Sequence, residues 1–376
     1  MIGNGGDAVV CVGQDGRKQV EILDYYEARV MRGIQVDLGA ESLSVEDKID
    51  LALARLSKIS PIRARAYKAE AQVFIESAKP ITGSVFEDIP DSQHLTVPAN
   101  CTLSQLVIQR HDAPADEPKY LYDADSWKLM SNTQKAGMIL HEVVYSEALD
   151  EGAWNSIGSR YLNSKISSSL AAYKTDKNIV SLLREVGLNK VEIAGMLMKD
   201  FNRDRIEQYF KFHSNGVLAQ GILADNTAIT VGRNKFVAKD IVEFHPNGVL
   251  KVADLVQPTT ITVKNRSFSN VGGRPYWKHD LEFYADGNIS QILLQERQIE
   301  NFQVQGKTIK CQEAIGFHPN GNLRNCVPDD SFSGQSTYGY KVRCAPKYGG
   351  GIDFNEQGLI DMRGRDSRDN CTKSIF

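Results

Sequence analysis

The spacing of apolar positions changes near residue 200. Upstream, most apolar residues recur every three to four positions, as on one face of a helix. Downstream, they alternate with polar residues in short runs between Asn-Gly or Asp-Gly pairs. The upstream part opens with a predicted strand at residues 8–12. Asp15-Gly16 then turns the chain into a predicted helix over 20–32, with Ile22, Tyr25, Tyr26, Arg29 and Val30 at helical spacing. Ser44 and Asp47 stand as a capping box before a second helix reaching about residue 58, and Pro61 suits the first turn of a third reaching about 77. Strands are expected at 81–86, 103–109 and 119–122. Helical periodicity returns at 132–151, continues through Tyr161 and Ile166, and recurs at 178–185 and 190–199. The fold class is therefore α+β: a helix-rich domain over residues 1–202, then an all-β domain over 203–376.

The second part is a repeat. An apolar residue, any residue, Phe, three residues, Gly, any residue and Leu or Ile recur around Phe212, Phe244, Phe283, Phe317 and Phe354, at spacings of 32, 39, 34 and 37 residues. Asn215-Gly216, Asn247-Gly248, Asp286-Gly287 and Asn320-Gly321 fit tight hairpin turns, because both residue types tolerate positive φ. The apolar residue and the Phe two positions later share one strand face, so each hairpin exposes an apolar side that a neighbouring repeat must bury. The first two copies also share strands of the Ile-Thr-Val type, at 228–231 and 260–263. Over residues 206–362 these copies resemble MORN-like hairpin repeats, with longer and uneven inserts. His213, His245, Tyr284 and His318 each follow the repeat Phe, and stacking would align them. Such a ladder has the chemistry to bind a metal or an acidic ligand; the competing reading is four solvated turn residues.

Composition changes this picture little. The chain has 376 residues, a net charge of -3, 41% hydrophobic and 24% charged residues, values of a folded protein with no global pull toward nucleic acid or anionic lipid. Lys and Arg are dispersed without a basic, aromatic-interleaved stripe, and no stretch has the length and apolarity of a membrane span. The six cysteines matter more. Cys11 and Cys101 fall early, and Cys311, Cys326, Cys344 and Cys371 in the last quarter, with no CxxC. Even groups in each region favour an exported, disulfide-containing protein over one with scattered reduced cysteines. Pairing Cys311 with Cys326 and Cys344 with Cys371 would staple the open end of the array, although spacing leaves other connectivities open.

His141-Glu142 is the main candidate for chemistry. An HExxH helix holds zinc because two His four apart face the same way. Here Tyr145 replaces the second His, and His94 and His111 stand in polar loops without metal spacing. A divergent metal-dependent hydrolase using His141, Glu142 and Tyr145 is one reading. The other is a structural cluster on a degenerate zincin-like scaffold, with His141 and Glu142 bonded to buried groups such as Arg160, Asn163 or strand backbone. The start at Gly3–Asp7 lacks a phosphate-loop pattern, and no GxSxG or nucleophilic Cys setting occurs. No cofactor is implied.

The segments GNGGDAVVC, LDYYEAR, Cys101-Thr102-Leu103, LHEVVY and Ser156 with Arg160-Tyr161-Leu162-Asn163 together resemble exported proteins of predatory bacteria of the Bdellovibrio and Myxococcus type. The resemblance spans roughly residues 3–170. It implies signal-peptide cleavage just before Gly3, a periplasmic or secreted location and a Cys11–Cys101 disulfide, and it supplies no reaction. The expected function is that of a non-enzymatic protein whose repeat platform contacts a protein or cell-envelope component. A purely structural scaffold is a third reading.

Overall fold

The computed structural model describes all residues except 1–4, 84–85, 87–90, 92–94, 111–112, 115, 200–209, 274–278, 346–349, 364–366, 368–369 and 374–376. His94, His111 and the change of texture near residues 200–206 lie outside the described residues. The chain forms two compact units, residues 1–195 and 196–376. Among the described residues of the first unit there are seven helices.

In that unit Asp7–Val12 is the middle strand of a three-stranded antiparallel sheet, between Lys18–Ile22 and Cys101–Gln105. The expected helix over 20–32 therefore starts later. Asp15-Gly16, with Gly16 at φ 76°, closes a hairpin that pairs Val12 with Lys18 and Ala8 with Ile22. Helix α1 (Leu23–Arg32) follows directly. Val20 and Ile22 are apolar at a spacing of two, and sheet pairing claims them.

Helix α2 (Val45–Leu56) carries the capping box of Ser44 and Asp47, and α3 (Pro61–Ser77) has its Pro in the first turn. A second small sheet orders Lys79–Ile81, Tyr120–Asp123 and Val107–Gln109, so the expected single strand over 103–109 is broken at Leu106. Helices α4 (Ala124–Leu129), α5 (Asn132–Asp150), α6 (Ile157–Ile166) and α7 (Asp176–Glu185) complete the unit. Every residue of α5 from Ala136 to Ser146 is buried, the signature of a helix packed on all sides, here by α1, α2, α3 and α6. The expected helix over 190–199 is instead two strands, Lys190–Ile193 and Met196–Lys199. Ala194 and Gly195 between them take φ of 51° and 75°.

In the second unit the repeat hairpins lie side by side in one antiparallel sheet. Its path runs through Leu218–Leu223, Asn234–Phe244, Leu250–Leu255, Leu281–Phe283, Ile289–Leu293, Lys307–Phe317, Leu323–Pro328 and Ile352–Asp353. The turns differ from the expected form. Only the glycine of each pair takes positive φ, 83° at Gly216, 81° at Gly248, 82° at Gly287 and 88° at Gly321. Gly216 N–H donates to the His213 carbonyl while His213 N–H donates to the Val217 carbonyl, a pattern repeated at the other turns. This is a four-residue turn closed by a left-handed glycine. Asn215 and Asn247 instead use their side chains: Oδ1 accepts from the N–H two residues on.

A second row of hairpins fills the uneven inserts. Thr227–Val231 pairs with the first half of Asn234–Phe244, Thr259–Val263 with Arg266–Val271, Ile299–Val304 with the first half of Lys307–Phe317, and Phe332–Gln335 with Lys341–Cys344. Two 11-residue strands run from one row into the other. Each bends four residues before the repeat Phe, where Asp240 and Glu313 take φ of 56° and 58° and the ladder register shifts.

Rings from the two rows pack together: Phe283 on Phe236, Phe317 on Phe268 and Phe302, Phe354 on Phe332. The apolar side of a hairpin is thus covered by the second row as well as by its neighbours. The cysteines form three disulfides, Cys11–Cys101, Cys311–Cys326 and Cys344–Cys371. The last of these returns the chain end to the array. There Ser367 bonds Asp353 through both backbone and side chain and blunts the terminal strand. Three disulfides fit a non-cytoplasmic compartment, and no helix among the described residues is long and apolar enough to cross a membrane.

Candidate functional site

Two places bring sequence-selected residues together. The first is a buried polar cluster beside α5. His141 and Glu142 lie in the middle of that helix, 1% and 0% exposed. His141 Nδ1 donates to the Asp24 carboxylate of α1, 2.9 Å from Oδ1 and 3.0 Å from Oδ2. Asn163 of α6 donates from Nδ2 to Asp24 Oδ2 at 2.6 Å and to the Gly137 carbonyl at 2.8 Å.

Glu142 Oε1 accepts from the Gly6 N–H at 2.6 Å. Arg160 joins from α6, with Nε 3.1 Å from Glu27 and Nη1 2.9 Å from Asp91, while Ser156 donates to Asp91 by backbone and hydroxyl. The neighbourhood admits no bulk. A Cβ on Gly6 would stand 2.0 Å from Met138 Sδ, and one on Gly5 would stand 1.6 Å from the Val107 carbonyl oxygen.

The electrostatics follow from burial and pairing. Burial opposes the imidazolium, but the charge and hydrogen bond of Asp24, with Glu142, outweigh it and push His141 up to about 9. Burial pushes Glu142 up to about 7 against the opposite pulls of His141 and the Gly6 N–H. Burial also presses Asp91 upward, yet Arg160 and Ser156 hold it below the usual carboxylate range.

His141 Nε2 is buried without a hydrogen-bond partner, so the cluster is not fully closed. Tyr145, the residue in place of a second zincin His, has its ring centroid 6.0 Å from that of His141. Among the described residues no group of three or more His, Cys, Asp or Glu side chains is arranged to hold a metal ion. His141, Glu142, Arg160 and Asn163 of this cluster are legible in the sequence. Asp24, Glu27, Asp91 and Gly6 are not, because they are remote from α5 in the chain and no motif ties them to it.

The second place is the repeat array. The four residues after the repeat Phe do align, and each half-buried side chain reaches the next repeat. His213 Nε2 donates to the Phe244 carbonyl at 2.9 Å and His245 Nε2 to that of Phe283 at 2.8 Å. Tyr284 Oη donates to Phe317 at 2.6 Å and His318 Nε2 to Phe354 at 2.8 Å. The carbonyl only accepts, so each imidazole carries its proton on Nε2. Asn215 and Asn247 add parallel links to the Pro246 and Ala285 carbonyls.

Between the tips of the two rows runs a groove with two adjoining compartments, about 270 Å³ and 660 Å³. The first lies between Val231 and Val263 on one side and Gly287 and Gly321 on the other. The second lies between Val263 and Val304, and between Gly321 and Gly358. These valines all precede the turn of a second-row hairpin, and these glycines all close a main-row turn. The compartments are therefore one site repeated one repeat later. Polar residues line both, including Arg233, Lys264, Asn265 and Asn288 in the first and Arg266, Asn322 and Gln357 in the second, where Phe268, Phe302 and Phe317 also contribute. Scanned against models of known families, curated proteins and solved structures, the chain matches none.

Proposed function

We propose that this is an exported, non-enzymatic binding protein whose hairpin array contacts a protein or cell-envelope component through the groove between its two rows. The observation that carries this reading is the repetition of the groove: equivalent residues from successive repeats build equivalent compartments. A surface of that kind suits an elongated partner. The three disulfides and the resemblance of roughly residues 3–170 to exported proteins of predatory bacteria support a periplasmic or secreted setting. The hairpin texture supports a MORN-like description of the array.

The His141–Glu142 cluster serves the fold in this reading. Its groups point at one another and at buried backbone. A zincin-like metal site finds no support in that arrangement, because His141 Nδ1 is committed to Asp24 and Tyr145 brings no second imidazole.

The test is retention of the full-length protein on envelope fractions, compared with an Arg233→Ala/Lys264→Ala variant. Both residues are exposed in the groove, so folding should be unchanged by circular dichroism. Retention of the parent and its loss in the variant is the expected result. Absence of retention in the parent, or equal retention in both, overturns the proposal.

A further inference from the structure

The groove has a period, and the period discriminates among ligands. Each repeat adds two strands to the main sheet between successive turn glycines: Gly287, Gly321 and Gly358 each close a turn two strands from the last. Neighbouring strands lie about 4.7–4.9 Å apart, so equivalent compartments recur every ~9–10 Å. Val263 and Gly321 belong to both compartments, so a ligand can pass from one to the next without leaving the groove.

An extended peptide advances about 3.3 Å per residue, and three residues would cover one period. Its side chains alternate faces, however, so residues three apart point opposite ways and cannot present the same group to both compartments. A polyproline II helix has three residues per turn and a rise of about 3.1 Å, giving a period near 9.3 Å with every third residue on the same face. Its backbone makes no internal hydrogen bonds, so its carbonyls remain acceptors. Residues with donor side chains line both compartments: Arg233 and Lys264 the first, Arg266 and Gln357 the second. Lys264 stands at the junction, its stem crossing Gly321, where a Cβ would fall 2.4 Å from Lys264 Cγ.

We infer that the groove receives a proline-rich segment in the polyproline II conformation, one helical turn per compartment. This inference rests on the reading of the groove as the binding surface. The experiment titrates capped oligoprolines of three, six and nine residues into the full-length protein by calorimetry. A six-residue chain reaches both compartments, so its affinity should exceed that of the three-residue chain by about tenfold or more. Nine residues should add less than that step.

Lys264→Ala and Gln357→Ala should each weaken the six-residue ligand several-fold with thermal melting unchanged. A glycine-serine peptide of equal length should not compete. Absence of a length step, equal binding of the glycine-serine peptide, or tighter binding of chito-oligosaccharides of similar length overturns the inference. If oligoproline fails while the Arg233→Ala/Lys264→Ala variant still loses envelope retention, the ligand class alone falls. If retention is also independent of those residues, the binding reading falls with it.

Discussion

The two units handle buried polar groups in opposite ways. In the helical unit Asp24, His141, Glu142, Arg160 and Asn163 meet in one cluster assembled from distant segments. In the hairpin unit, polar side chains act as rungs, one per repeat, each tying a turn to the next repeat's backbone. A single cluster has no redundancy, since removing one member leaves its partners unpaired among buried side chains. A ladder loses one rung at a time, and its rungs are half-buried and rebind water when freed. The first arrangement specifies one packing of helices. The second tolerates variation, as the Tyr at position 284 among three His demonstrates.

The contrast can be broken by experiment. The largest expected effect is that of Asp24→Ala, which strands the buried His141 and Asn163; a loss of about 3–5 kcal/mol in urea denaturation is expected. A loss below about 1 kcal/mol would mean that the cluster is as replaceable as a rung. Gly5→Ala is next, at about 1–3 kcal/mol, because its Cβ would overlap the Val107 backbone carbonyl. If thermal melting leaves this variant at parental stability, the N-terminal segment does not pack as described.

The pH dependence should also belong to the cluster. His141 and Glu142 hold their protons more tightly folded than unfolded. Their contribution is fully present below the unfolded values of 4.5 for Glu142 and 6.5 for His141, and it is lost as pH rises through about 7 and about 9. Asp91 is shifted the other way, so its contribution is present above its unfolded value of 3.8 and lost in acid. Stability should therefore decline from about pH 5 to pH 9, and the decline should flatten in a His141→Gln/Glu142→Gln variant. An unchanged slope in that variant would assign the pH dependence elsewhere.

The smallest effect concerns the ladder. Tyr284→Phe removes one rung and should cost about 0.5–1.5 kcal/mol, whereas Tyr284→His should restore most of it, since the imidazole donates at the other three positions. A Tyr284→Phe cost as large as that of Asp24→Ala would erase the distinction between the units.

Much of the fold was legible because its signals are local. The capping box at Ser44 and Asp47, Pro61 in a first turn, and the apolar-x-Phe pattern before a turn glycine each depend on residues within a few positions. The helix expected over 190–199 went astray because a short apolar run fits either period, and the turn at Ala194-Gly195 decided for strands. The second hairpin row showed only a partial signature. Its Ile-Thr-Val strands recur in two copies, and the third carries Phe302 where Ile would stand.

The chain by itself determined the α+β class, the repeat and its in-register side chains, because periodicity and turn chemistry act over a few residues. Tertiary structure alone decided that Asp24 faces His141 across 117 positions, that Gly6 caps Glu142, and that two rows of hairpins enclose a repeating groove. Those pairings depend on how buried charges find partners when helices and sheets close upon one another, and one-dimensional spacing carries no record of that.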